Sequence, residues 1–150
     1  MPSQQHILEE LEDLIRICHD GEAGYREAAE RAADPNLKRL LKEVSQQRSK
    51  FAHDLEQEAA RWGRTAVEFS GTGYGTIQRG WADLKAALGG GDEAILASME
   101  SGDDYACKRY DDAIRDAETP PDVLGILRNQ AQAIVGTLDR IRALRRRRAA

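Results

Sequence analysis

Aromatic side chains are scarce in this chain: two Phe, two Trp and four Tyr in 150 residues. β-Branched residues are few as well, while Ala, Leu, Glu and Arg abound. That balance disfavours strands and favours helices. Cysteine is limited to Cys18 and Cys107, both inside helical patterns. The opening MPSQQHILEE lacks the basic-then-apolar pattern of a secretory leader, so free thiols in a cytoplasmic protein are expected rather than a disulfide. No apolar run of about 18 residues occurs, which excludes a hydrophobic membrane-spanning helix. Basic charge is not in excess either. The 22 Lys and Arg against 26 Asp and Glu leave a net charge of −4, unlike a dedicated nucleic-acid binder.

Catalytic signatures are missing too. There is no Gly-x-Ser-x-Gly, and Cys107 has no evident His or Asn partner. SGTGYG lacks the Gly-Lys-Ser/Thr of a phosphate-binding loop and follows no strand pattern, so it reads as a flexible crossing. The reading leans away from an enzyme.

What is present is helical periodicity. Ile7, Leu8, Leu11, Leu14, Ile15, Cys18, Tyr25, Ala28, Ala29 and Ala32 keep three-four spacing and predict a helix over about 4–33. Asp34-Pro35 ends it and opens a second helix, about 35–62, with Leu37, Leu40, Leu41, Val44, Phe51, Leu55 and Trp62 on one stripe and Gly63 as its stop. Residues 64–91 form a long connection with a short accessory helix at about 76–88, where Trp81 and Leu84 cap the bundle. A third helix, about 92–117, is expected to start at Asp92 as N-cap. It carries Ile95, Leu96, Met99, Ala106, Tyr110, Ala113 and Ile114. A fourth, about 121–146, follows Pro120-Pro121 with Val123, Leu124, Leu127, Ile134, Leu138 and Ile141. Short, long and short connections predict a single all-α domain over 1–150, an antiparallel four-helix bundle with one long crossover.

One feature works against that periodicity. DGEAGYREAAE puts two glycines and Glu22 into the first helix, although interior glycine costs about 1 kcal/mol and an unpartnered buried carboxylate more. SGDDYACKRYDDA repeats the arrangement in the third helix with Gly102-Asp103. In the second and fourth helices Gln47 and Gln130 fall at matching positions. Two similar hairpins would each bring one acid and one amide to the middle of the bundle, with the glycines letting neighbouring backbones approach. The simplest role for this belt is a hydrogen-bonded polar layer, with Arg48, that sets helix register.

DGEAGYREAAE, the QQR-x-x-F of the second helix, SGTGYGTIQRGWADLKAAL and SGDDYA together resemble an uncharacterised bacterial ferritin-like four-helix-bundle family, a domain of unknown function, over about residues 7–145. The resemblance implies a ferritin-like fold. By the wider superfamily, it also implies a metal site drawn from Glu22, Glu43, Gln47, Asp103 and Gln130, with iron or manganese as the candidates. The sequence departs from the di-iron pattern of Glu-x-x-His. Gln47 is followed at +3 by Lys50, Gln130 by Ala133 and Glu43 by Gln46. Oxygen donors alone suit Mg²⁺, Mn²⁺ or Ca²⁺ better than zinc. The expectation is a non-catalytic bundle with a degenerate or weak metal site. The alternative is a carboxylate-bridged iron or manganese protein with storage or oxidase-like activity.

His6, His19 and His53 read as surface or boundary residues rather than ligands. Arg145–Arg148 at the end of the fourth helix suits the helix dipole and is expected to stay solvated. Nucleic acid is not an expected partner, this stretch being the one basic patch that offers it a contact. Expected partners are a second copy, giving a dimer, or another protein.

Overall fold

The computed structural model describes residues 3–64 and 90–149, and four helices make up nearly all of them. They are α1 (Gln4–Arg31), α2 (Pro35–Arg61), α3 (Gly91–Arg115) and α4 (Pro121–Ala149). The expected accessory helix at 76–88, with SGTGYG, Trp81 and Leu84, lies outside the described residues. No described helix is long and apolar enough to cross a membrane.

Local chemistry accounts for the helix ends. Ser3 caps α1 by accepting from the His6 N–H at 3.0 Å. Asp34 caps α2 by accepting from the Asn36 N–H at 2.9 Å, with Pro35 in the first turn. At the far end of α2, Gly63 has φ +102°. Its N–H donates to Ala60 O and the Arg64 N–H to Ala59 O, the paired bonds of a Schellman stop.

Asp92 is not the N-cap of α3. It lies one residue inside the helix, which Gly90 precedes without a side-chain cap. Its carboxylate instead accepts from the backbone N–H groups of Ala33 and Asp34, at 2.8 and 3.0 Å. Those N–H groups belong to the α1–α2 turn and have no helical partner, so an acid from another element meets their need. α4 continues through the arginine run to Ala149. Arginine is a good helix former, and positive charge suits a helix C-terminus.

Cross-helix contacts give the directions. Between α1 and α2 they run Glu22–Ser45, His19–Glu56 and Glu12–Arg64, an antiparallel ladder. Between α1 and α3 they run Tyr25–Asp103, Cys18–Tyr110 and His6–Asp116, again antiparallel. α4 packs antiparallel to α3, through Gln130–Tyr110 and Arg145–Glu100. Arg64, after α2, therefore lies at one end of the bundle, beside Glu12. Asp92, at the start of α3, lies at the other, beside the α1–α2 turn.

The apolar interior falls into two clusters. One gathers Ile7, Leu11, Leu14, Leu55, Tyr110 and Leu127 with their neighbours. The other gathers Tyr25, Leu37, Leu41, Ile95, Met99 and Ile141 with theirs. Polar side chains separate the two at mid-height.

Candidate functional site

The mid-height layer is built around Asp103 on α3, whose side chain is fully buried. Arg48 from α2 donates to it twice, Nη1 to Oδ1 at 2.6 Å and Nη2 to Oδ2 at 2.9 Å. Tyr25 from α1 adds a third bond, Oη to Oδ2 at 2.5 Å. The Arg48 guanidinium also lies over the Tyr25 ring, 5.1 Å from its centroid, an arrangement in which the ring face attracts the cation. One carboxylate, one guanidinium and one phenol from three helices thus form a buried cluster, in which Arg48 Nε is enclosed without a hydrogen-bond partner.

Electrostatics keep Arg48 charged and Tyr25 protonated. Burial works to lower the Arg48 pKa, but the Asp103 charge and hydrogen bonds outweigh it and hold the guanidinium above its ordinary value. Burial pushes the Tyr25 hydroxyl well above the usual tyrosine range, and the Asp103 charge adds to the effect. Tyr25 is therefore a permanent donor and Arg48 a permanent cation.

Gly21, one of the two glycines of DGEAGYREAAE, packs against this arginine. A Cβ at this position would lie 3.4 Å from Arg48 Nη1 and 3.6 Å from its Cγ. A methyl group would sit in ordinary contact with the arginine, and a larger side chain would meet it; the glycine faces Arg48 rather than a neighbouring backbone as expected.

A second buried chain of hydrogen bonds lies alongside. Tyr110 Oη donates to Gln130 Oε1 at 2.6 Å, which leaves the Cys18 thiol, 3.1 Å away, to donate to Tyr110. Gln130 Nε2 then donates to the Phe51 carbonyl at 3.3 Å. Burial pushes the Cys18 thiol up to about 11, so it is no nucleophile near neutral pH. Cys107 is half-buried and likewise pushed up to about 11, chiefly by burial. Both cysteines are free thiols.

The five sequence-derived candidates separate. Asp103 and Gln130 are buried, in the two polar groups just described. Glu22 is half-buried between α1 and α2, its Oε1 3.8 Å from His19 Nδ1, and His19 bonds Glu56 at 2.8 Å. Glu43 is exposed. Gln47 is half-buried and lines a groove of about 550 Å³ with Gln130 and Phe51, its Oε1 enclosed and without a partner. The structure thus shares Gln47 and Gln130 along one groove. Glu22, Glu43 and Asp103 do not gather at metal-ligand spacing.

The donor set does not fit a carboxylate-bridged metal pair. Both Asp103 oxygens are taken by Arg48, Gln130 is committed to Tyr110 and Phe51, and Arg48 puts a fixed positive charge against the central acid. From the sequence, Arg48 is only an adjunct of the layer, and Tyr25 and Tyr110 belong to the apolar stripes. Their hydroxyls on an inward face were the available signal, because a buried Tyr O–H generally finds a partner.

Among the described residues, one trio of His, Cys, Asp or Glu brings its ligand atoms within 4.8 Å of one another: His6, Glu10 and Asp116. It lies at the end of the bundle formed by the start of α1 and the α3–α4 turn, away from the central layer.

Comparison with curated proteins finds no match. A family model described as "Domain of unknown function (DUF2383)" matches residues 6–116, which span α1, α2 and α3 and every member of the Arg48–Asp103–Tyr25 cluster. The chain belongs to that family.

Proposed function

We propose that this protein is a ferritin-like helical bundle that has no redox metal centre at its middle and works by association, with a second copy or a protein partner. The observation that carries this reading is the Arg48–Asp103 pair. Di-iron bundles draw about four carboxylates and two histidines inward. Here, of the buried acids among the described residues (Asp20, Glu58, Asp92 and Asp103), Asp103 is the one in the central cluster, and a guanidinium already neutralises it. An ion entering that place would have to displace two charge-assisted hydrogen bonds and sit beside a buried cation. Both effects oppose binding.

The ferritin-like part of the reading draws support from the helix directions. α2 ends at one end of the bundle and α3 begins at the other, so the intervening residues join opposite ends, as in bundles with one long crossover.

The test is iron or manganese content and ferroxidase activity of protein purified without chelator, compared with Glu22→Ala and Gln130→Ala. The expected result is no oxygen consumption on adding Fe²⁺ and the same metal content in all three proteins. Stoichiometric iron or manganese that is lost in both variants would establish the storage or oxidase alternative instead. Light scattering during size exclusion tests association, and a strictly monomeric chain would remove the self-association arm.

A further inference from the structure

We propose that His6, Glu10 and Asp116 form a binding site for one divalent first-row transition-metal ion at the end of the bundle, with Glu118 as a fourth donor. The site lies outside the central layer and does not depend on how that layer is read.

Spacing is the first argument. His6 Nε2 lies 2.6 Å from Asp116 Oδ2, 3.4 Å from Glu118 Oε2 and 3.9 Å from Glu10 Oε1. Donors about 2.1 Å from a common ion are about 3.0–3.5 Å apart, for octahedral and tetrahedral geometry respectively. The observed separations bracket that range. Opening the His6–Asp116 contact by several tenths of an ångström, and closing Glu10 by a similar amount, would seat the ion.

The second argument is how the donors are held. His6 and Glu10 are one turn apart on the same face of α1, so the helix sets their separation. Asp116, at the C-cap of α3, accepts from the Glu118 N–H with Oδ1 at 2.9 Å. That leaves Oδ2 facing the imidazole. The Thr119 hydroxyl, itself buried, lies 3.1 Å from Glu10 Oε2. Such outer contacts orient metal ligands and tune their affinity.

The third argument is charge. Three carboxylates face one imidazole, and the ligand atoms of His6, Glu10 and Asp116 all lie within 4.8 Å of one another. A divalent ion placed among these oxygens is attracted by every carboxylate at once. The imidazole nitrogen favours Zn²⁺, Mn²⁺ or Co²⁺ over Mg²⁺ and Ca²⁺, which prefer oxygen alone. His6, Glu10 and Asp116 each keep partial solvent exposure, so an ion can reach them.

The experiment is calorimetric titration of the chelator-stripped full chain with ZnCl₂, repeated on His6→Ala, Asp116→Asn and the control His19→Ala. The expected result is saturation at one ion per chain, at least tenfold weaker binding in the first two variants and unchanged binding in the control. In the native chain, Zn²⁺ should shift the His6 ring resonances and leave those of His53 in place. That reading holds even if a variant fails to fold. Absence of saturable binding, loss of binding in His19→Ala, or Zn²⁺ that leaves the His6 ring unmoved would overturn the proposal.

Discussion

Arg48 and Asp103, 55 residues apart in sequence, meet at the centre of the bundle in a two-pronged ion pair with bonds of 2.6 and 2.9 Å. Arg48 is among the largest fully buried side chains of the protein. Such a pair contributes little net stability against an apolar equivalent, because desolvating two charges offsets their attraction. Removing one partner is costly, since the other is left buried and alone.

Single truncations should therefore be severe and the double replacement mild. Arg48→Met and Asp103→Leu are each expected to lose about 3–5 kcal/mol, and the double variant much less than their sum. Urea denaturation of the four proteins measures this. Additive losses would mean that the two groups act independently.

Gly21 should tolerate only a small side chain. Gly21→Ala gains helix propensity of about 1 kcal/mol but sets a Cβ against the Arg48 stem, so the net change is expected to stay within about 1 kcal/mol. Gly21→Leu is expected to lose about 2–4 kcal/mol, and combining it with Arg48→Met should recover part of that loss. Thermal melts of the three variants are the check. An equal loss for Gly21→Leu in both backgrounds would separate this glycine from the arginine.

Asp92 holds the α1–α2 turn from across the bundle. Asp92→Ala would strip two backbone N–H groups of their acceptor, for an expected loss of about 1–3 kcal/mol. Amide exchange at Ala33 and Asp34 should accelerate in the variant. Unchanged protection at both amides would show that water replaces the carboxylate without cost.

The end cluster should make the metal-free protein prefer mildly acidic conditions. The hydrogen bond to Asp116 raises the His6 pKa above its usual value. Burial, then contact with Asp116, raises Glu10 to about 7. Both groups hold their protons more tightly when folded, so their stabilisation is present below the unfolded values and fades as pH rises through the folded ones. Asp116 is lowered to about 2, by the Glu118 backbone N–H first and then by Glu10 and His6. Its stabilisation is present above about pH 4 and is lost as pH falls toward 2. With EDTA present, Tm is expected to fall between pH 6 and 8, and to fall less in His6→Ala. Parallel curves for the two proteins would exclude His6 as a source.

Much of the architecture was legible in the chain itself. Four stripes at three-four spacing, Pro35, Gly63 and Pro120-Pro121 predicted the helices and their breaks, because those signals act within one or two turns. The inward placement of Asp103 and Gln130 follows from the same spacing, but not their partners: Arg48 and Tyr25 take Asp103, and Tyr110 and Phe51 take Gln130. Glu22 was expected opposite Asp103 by analogy between the hairpins, yet it lies at the α1–α2 edge beside His19. A stripe about 100° wide admits several residues at its margin, and Glu22 is one of them. His6 was read as a boundary residue, which its part exposure matches. Its closeness to Asp116, 110 residues away, has no local trace.

Helix type, helix ends and the apolar faces were settled by residue order alone, since each depends on neighbours a turn or two away. Which hydrophilic groups meet inside was settled only by packing. A carboxylate on one helix can be reached by any long side chain that its neighbours present at the same height. Here Arg48, rather than Gln130, arrives at Asp103, its stem packed against Gly21.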